Sequence, residues 1–160
     1  MKYFIKIIIV LLFSINICFA DEVENLFVEN VHVPMLFTYV PRGLIVSIDD
    51  KYFFNSGSVK INDYGTKNLS DIANVINKLQ NDIVVESHYA DENLKDTLYN
   101  ELWELSLAKA NNITKYLMRC EGVKAERIFS LGYGEIAPLV ENEGFTNRVD
   151  FVVLDYKAKR

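Results

Sequence analysis

Apolar residues in this chain change their period along its length, and that change fixes which elements it can form. "GLIVSI" from residue 43 and "DIVVESH" from residue 82 are short apolar runs rich in Ile and Val, the composition of buried strands. Between them Leu69, Ile72, Ala73, Val75, Ile76 and Leu79 recur at helical spacing, with Asp71, Asn74, Asn77 and Lys78 opposite. Leu98, Leu102, Leu105, Ile113 and Tyr116 mark one face of a longer second helix, which Gly122 is placed to end as a C-cap. "RIFSLGYG" and "VDFVVL" then supply two more strands. The order strand, helix, strand, helix, strand, strand predicts an α/β two-layer sandwich, with a mixed sheet of about four strands and two main helices packed on it. With 160 residues, half of them apolar, the chain has enough material for one core and one domain.

The ends read differently. Residues 1–20 carry Lys2 and Lys6, an apolar run and a small residue, Ala20, before the acidic "DEVEN". This is the layout of a secretory signal peptide, and the run is short of the roughly twenty residues that a membrane-crossing helix needs. A short retained anchor over residues 4–20 is the alternative. A lipid on Cys18 fits less well, because Asn16 and Ile17 stand where small residues are expected. Residues 21–42 contain "LFVENVHVPMLFTYV", too apolar for a free linker, and are expected to pack on the domain as an edge strand that tolerates Pro34 and Pro41. The domain proper is placed at 43–156, with a basic tail at 157–160.

Removing residues 1–20 leaves 15 Lys and Arg against 22 Asp and Glu, a formal charge of −7. That balance argues against nucleic acid and anionic membrane surfaces as partners. Of the two cysteines only Cys120 lies beyond the signal, so no intramolecular disulfide is expected, and Cys120 is read as a small packing residue. No nucleophile and base stand at a recognisable spacing, and the two histidines, His32 and His88, belong to no metal-ligand pattern. The chain is expected not to be an enzyme and to need no cofactor and no metal. "NIT" at 112–114 matches a glycosylation acceptor but falls inside the second helix.

One residue breaks the pattern. Lys109 falls in the middle of the apolar stripe of the second helix, between the directions of Leu102 and Leu105. Either its stem covers core surface while the ammonium reaches water, or the ammonium is held near a carboxylate or an anionic ligand at the sheet edge. Trp103 and Leu107 point away from the stripe; they are read as covered by the 21–42 segment, or else as a contact surface.

In order and spacing the segments resemble the OmpA-like periplasmic domain family, in its MotB-type branch, from Arg42 to Leu154. "RGLIVSIDDKYFFNSGSVKI" is similar to the family's opening strand and turn, "IVVESHYAD" to its strand ending E-G-H-T-D, and "WELSLAKA" to its N-W-E-L-S-x-x-R-A. "SLGYGEIAP" is similar to G-x-G-E-x-x-P, and "TNRVDFVVL" to N-R-R-V-E-I-x-L. The resemblance implies binding of peptidoglycan, where an Asp takes the ammonium and an Arg the carboxylate of a diamino acid in the stem peptide. Carried over by position, Glu86 and His88 match, the family's Asp falls on Ala90 with Asp91 one place later, its Asn on Leu102 and its Arg on Lys109. Arg148 matches the second arginine of the last motif, and Asn147 replaces the first. The expected ligand-binding set is therefore Asp91, Lys109, Arg148 and His88, a modified pocket in which Lys lacks the bidentate fork of Arg.

What the resemblance implies is a non-catalytic, periplasmic cell-envelope protein that binds or once bound peptidoglycan. The alternative is a structural module of an envelope, motor or secretion complex, working through a protein partner or a homodimer. Residues 1–20 contain no Asp or Glu, so the ion conduction that MotB-type stators perform through a membrane Asp is not expected.

Overall fold

The computed structural model describes residues 20–89, 98–135 and 145–155. Five strands form one sheet: β1 Met35–Val40, β2 Gly43–Asp49, β3 Ile83–His88, β4 Ile128–Gly134 and β5 Arg148–Leu154, in the order β1-β2-β5-β3-β4. β3 and β4 run parallel and every other pair is antiparallel, so the sheet is mixed. The count exceeds the expected four because β1 pairs along its whole length with β2 as an edge strand, between Pro34 and Pro41.

Three helices accompany the sheet: α1 over 20–30, α2 Asp63–Lys78 and α3 Leu102–Cys120. α1 has no counterpart in the sequence reading, although Val23, Phe27 and Val31 stand at helical spacing and are all buried. α2 starts earlier than its apolar stripe because the Asn62 side chain accepts the Gly65 backbone N–H at 2.7 Å, capping the first turn. α3 ends at a left-handed Gly122, φ 72°, where the Val123 N–H returns to the Leu117 carbonyl.

Three side-chain expectations need correcting. Leu98 precedes α3 and is 97% exposed, so the helix begins one turn later than the apolar spacing suggested. Cys120, in the last turn, is exposed and packs against no core. Trp103 remains 48% exposed rather than covered by the 21–42 segment. α3 lies over β3 and β4, whereas β1 forms the other edge of the sheet, and α1 is tied by Glu24 to Tyr39 and by Asn30 to Lys78. Leu107 instead meets β4: a Cβ on Gly132 would lie 2.2 Å from the Leu107 backbone nitrogen, so only glycine allows this approach.

Alternation along the strands gives the sheet two unlike faces. One packs Leu44, Val46, Ile48, Ile83, Val85, Val149, Phe151 and Val153 into the main core with residues of all three helices. The other starts with a small apolar group of Ile45, Val84, Val152 and Leu154. Further along the same strands it turns polar, with Glu86, His88, Arg148 and Asp150, all buried.

Candidate functional site

β2 runs out in two consecutive acids. Asp49 accepts the Lys51 backbone N–H at 3.0 Å, closing a single 3-10 turn over Asp50–Tyr52, and the Asp50 N–H donates to the Asn147 carbonyl at 3.1 Å. These bonds fix the Asp50 side chain at the end of the sheet, where α3 brings Lys109. Lys109 is fully buried, and its Nζ donates to Asp50 Oδ2 at 2.5 Å. The ammonium also stands 3.8 Å from the centre of the Tyr89 ring and 5.2 Å from that of Phe54. Of the two readings of Lys109, the held ammonium is the one observed. Desolvated cation–π contacts of this kind are worth about 2 kcal/mol or more, and they help offset the cost of burying the charge.

A cleft of about 360 Å³ opens above this pair. Asp49, Asp50 and Lys51 line it together with Phe54 and Tyr89, and Ser56, Thr146 and Asn147 complete the rim. Lys109 itself does not reach the lining. Lys51 Nζ lies 2.7 Å from Asp49 Oδ2, and that bond holds the exposed Lys51 ammonium above the usual lysine range.

A second ionic group occupies the other face of the sheet. Glu86, nearly fully buried, accepts both terminal nitrogens of Arg42 at 2.8 and 2.9 Å, and the Glu86 bond raises the Arg42 guanidinium further above its ordinary value. Arg148 Nε donates to Asp150 Oδ2 at 3.1 Å. His88 stacks on Tyr133, ring centres 4.9 Å apart, and its Nε2 lies 3.1 Å from the same Asp150 oxygen without making a hydrogen bond. The pairing register sets Glu86 opposite Asp150 and His88 opposite Arg148, so four polar side chains share one face. Ligand atoms of Glu86, His88 and Asp150 come within 4.8 Å of one another. The two guanidiniums already neutralise both carboxylates, however, so a divalent cation would add its full charge to a balanced, buried cluster.

The expected site residues therefore do not meet in one place among the described residues. Lys109 underlies the cleft; His88 and Arg148 stand together around Asp150 on the opposite face, at the same end of the sheet. Asp91 and Ala90 lie outside the described residues. Sequence reasoning missed Asp50, and it missed Arg42 and Asp150 as partners. The available signals were two adjacent acids ending a buried strand, and charged residues two apart, Glu86 with His88 and Arg148 with Asp150, in otherwise apolar strands.

Residues 53–150 match the OmpA family. Motility protein B of Bacillus subtilis is 30% identical over 104 residues, covering 64% of this chain and 40% of its own length. A second protein of that bacterium, uncharacterized YtxE, is 28% identical over 102 residues, which are 64% of this chain and 42% of YtxE. The chain thus spans about two fifths of the length of these curated relatives. Among solved structures, the periplasmic domain of Helicobacter pylori MotB superposes with a TM-score of 0.67 at 25% identity, covering 76% of this chain and 80% of that one. The cell wall anchor of the T6SS from Pseudomonas aeruginosa shares the fold, with a TM-score of 0.66 at 22% identity over 75% of this chain and 87% of that one. The family match covers more than half of the chain, including both main helices, β3, β4 and the start of β5, and on that ground the chain belongs to the OmpA family, with MotB periplasmic domains among its structural neighbours.

Proposed function

We propose that this chain is a non-catalytic, periplasmic cell-envelope protein whose OmpA-family domain binds the stem peptide of peptidoglycan in the cleft above Asp50 and Lys109. The observation that carries the reading is the cleft itself: a polar and aromatic concavity, walled by Asp49, Asp50 and Tyr89, at the end of the sheet where the strand motifs converge. Its lining is suited to a small charged group. Asp91 is assigned as a further anion of this rim. His88 and Arg148 are assigned to hold the ends of β3 and β5 in register from the opposite face, through Asp150.

One observation favours a second reading, a structural module of an envelope, motor or secretion complex that no longer holds peptidoglycan. The cation in the position of the family's arginine is already bonded within the protein, to Asp50. Pull-down with purified peptidoglycan separates the two. The first reading expects the chain to sediment with the polymer and a double variant, Asp50→Asn with Lys109→Met, to stay in solution. If the wild-type chain stays in solution, the scaffold reading replaces the first.

A further inference from the structure

We infer that the cleft recognises a primary ammonium group alone, without needing a carboxylate beside it, because Asp50 already occupies the cation that a ligand carboxylate would require. This rests on the wall-binding reading and specifies its ligand class. Lys109 is enclosed, with Asp50 at 2.5 Å on one side and the Tyr89 and Phe54 rings at 3.8 and 5.2 Å on others, and its side chain exposes no surface. What the cleft presents instead is the carboxylates of Asp50 and Asp49, whose side chains are 13% and 19% exposed.

The two acids are not equivalent. Asp49 uses both oxygens locally, one for the Lys51 N–H and one for the Lys51 ammonium. Asp50 gives Oδ2 to Lys109, and none of the described hydrogen bonds uses its Oδ1. That oxygen, with Ser56 and Thr146 on the same rim, offers what an ammonium needs: a charged acceptor with hydroxyl-bearing side chains beside it. Among the described lining residues the cation is Lys51, and it is already paired to Asp49. Lysine at position 109 reinforces this, since a compact ammonium lacks the planar fork by which an arginine grips a carboxylate.

The discriminating experiment is calorimetric titration of the chain with three tripeptides, L-Ala-γ-D-Glu-X, in which X is meso-diaminopimelate, its side-chain amide, or L-lysine. All three carry the ammonium; only the first carries the adjoining carboxylate. The inference expects affinities within about threefold of one another, a spread below 1 kcal/mol. It also expects loss of all three in Asp50→Asn with Lys109→Met, a variant that removes both charges together and so leaves none buried alone. Binding of the diaminopimelate peptide at least about tenfold tighter than its amide overturns the inference and leaves wall binding standing. Retained binding in the double variant also overturns it, and no binding of any peptide to the wild-type chain overturns both.

Discussion

Replacing Lys109 with Met keeps the volume and stem of the side chain and removes only its ammonium. In the folded chain this leaves the Asp50 carboxylate, with 13% of its side chain exposed, beside two aromatic rings and no cation at 2.5 Å. Removing one member of a buried pair costs about 3–5 kcal/mol, because the remaining charge keeps its desolvation penalty and loses its compensation. The residual exposure of Asp50 allows some rehydration, which places the expected loss at the low end, about 3 kcal/mol. For a domain of this size that corresponds to a fall in Tm of roughly 10 °C. Adding Asp50→Asn to Lys109→Met should recover most of the loss, to within about 1 kcal/mol of wild type, since an uncharged pair has no uncompensated charge. Urea unfolding of the four proteins in the cycle, wild type, both single variants and the double, measures each value and the coupling between the sites. The coupling should persist at high salt, because a buried pair is hardly screened. A Lys109→Met loss below about 1 kcal/mol, or a coupling that vanishes in salt, would mean that the ammonium is hydrated and the pair superficial.

Other expectations follow from the same geometry. Gly132→Ala places a methyl group 2.2 Å from the Leu107 backbone nitrogen, so α3 must shift off β4; a loss of about 3 kcal/mol in denaturant is expected, against less than about 0.5 for Trp103→Ser at its exposed site. Asp150→Asn strips the counter-charge from Arg148, which is 5% exposed, and should cost about 3 kcal/mol by the same measurement. The hydrogen bond to Glu24, with some burial, pushes the Tyr39 hydroxyl up to about 12 from 10.0. A raised folded value means that its stabilisation is complete below pH 10 and is lost as pH climbs towards 12; Tyr39→Phe should flatten the stability profile across that window, and an unchanged profile would place the bond outside the folding equilibrium.

The parts of this fold that were legible in sequence are those where burial imposes a period. α2 and α3 showed their apolar stripes, and β2, β3 and β5 their Ile and Val runs, because each faces the same core. The edge strand β1 was legible between its two prolines, whereas α1 was not, because residues 21–42 mix apolar residues at both spacings. The site was half legible. Lys109 stood out because a charge in an apolar stripe must be compensated, but Asp50 is 59 positions away, and two adjacent acids ending a buried strand do not say which helix meets them. His88 and Arg148 were recognised by motif, whereas their sidedness depends on strand register, which places them across the sheet from Lys109. A motif gives a residue's position along the chain and not the face on which its side chain ends.

Whether the cleft holds the wall peptide through Asp50 can be read by titrating the lysine tripeptide into isotope-labelled protein and following backbone amide shifts. Binding there gives saturable changes centred on Asp50, Lys51, Ser56, Tyr89 and Asn147, all absent in Asp50→Asn with Lys109→Met. Saturable changes centred elsewhere, such as around Trp103 and Phe129, or a spectrum that does not respond at all, would contradict it.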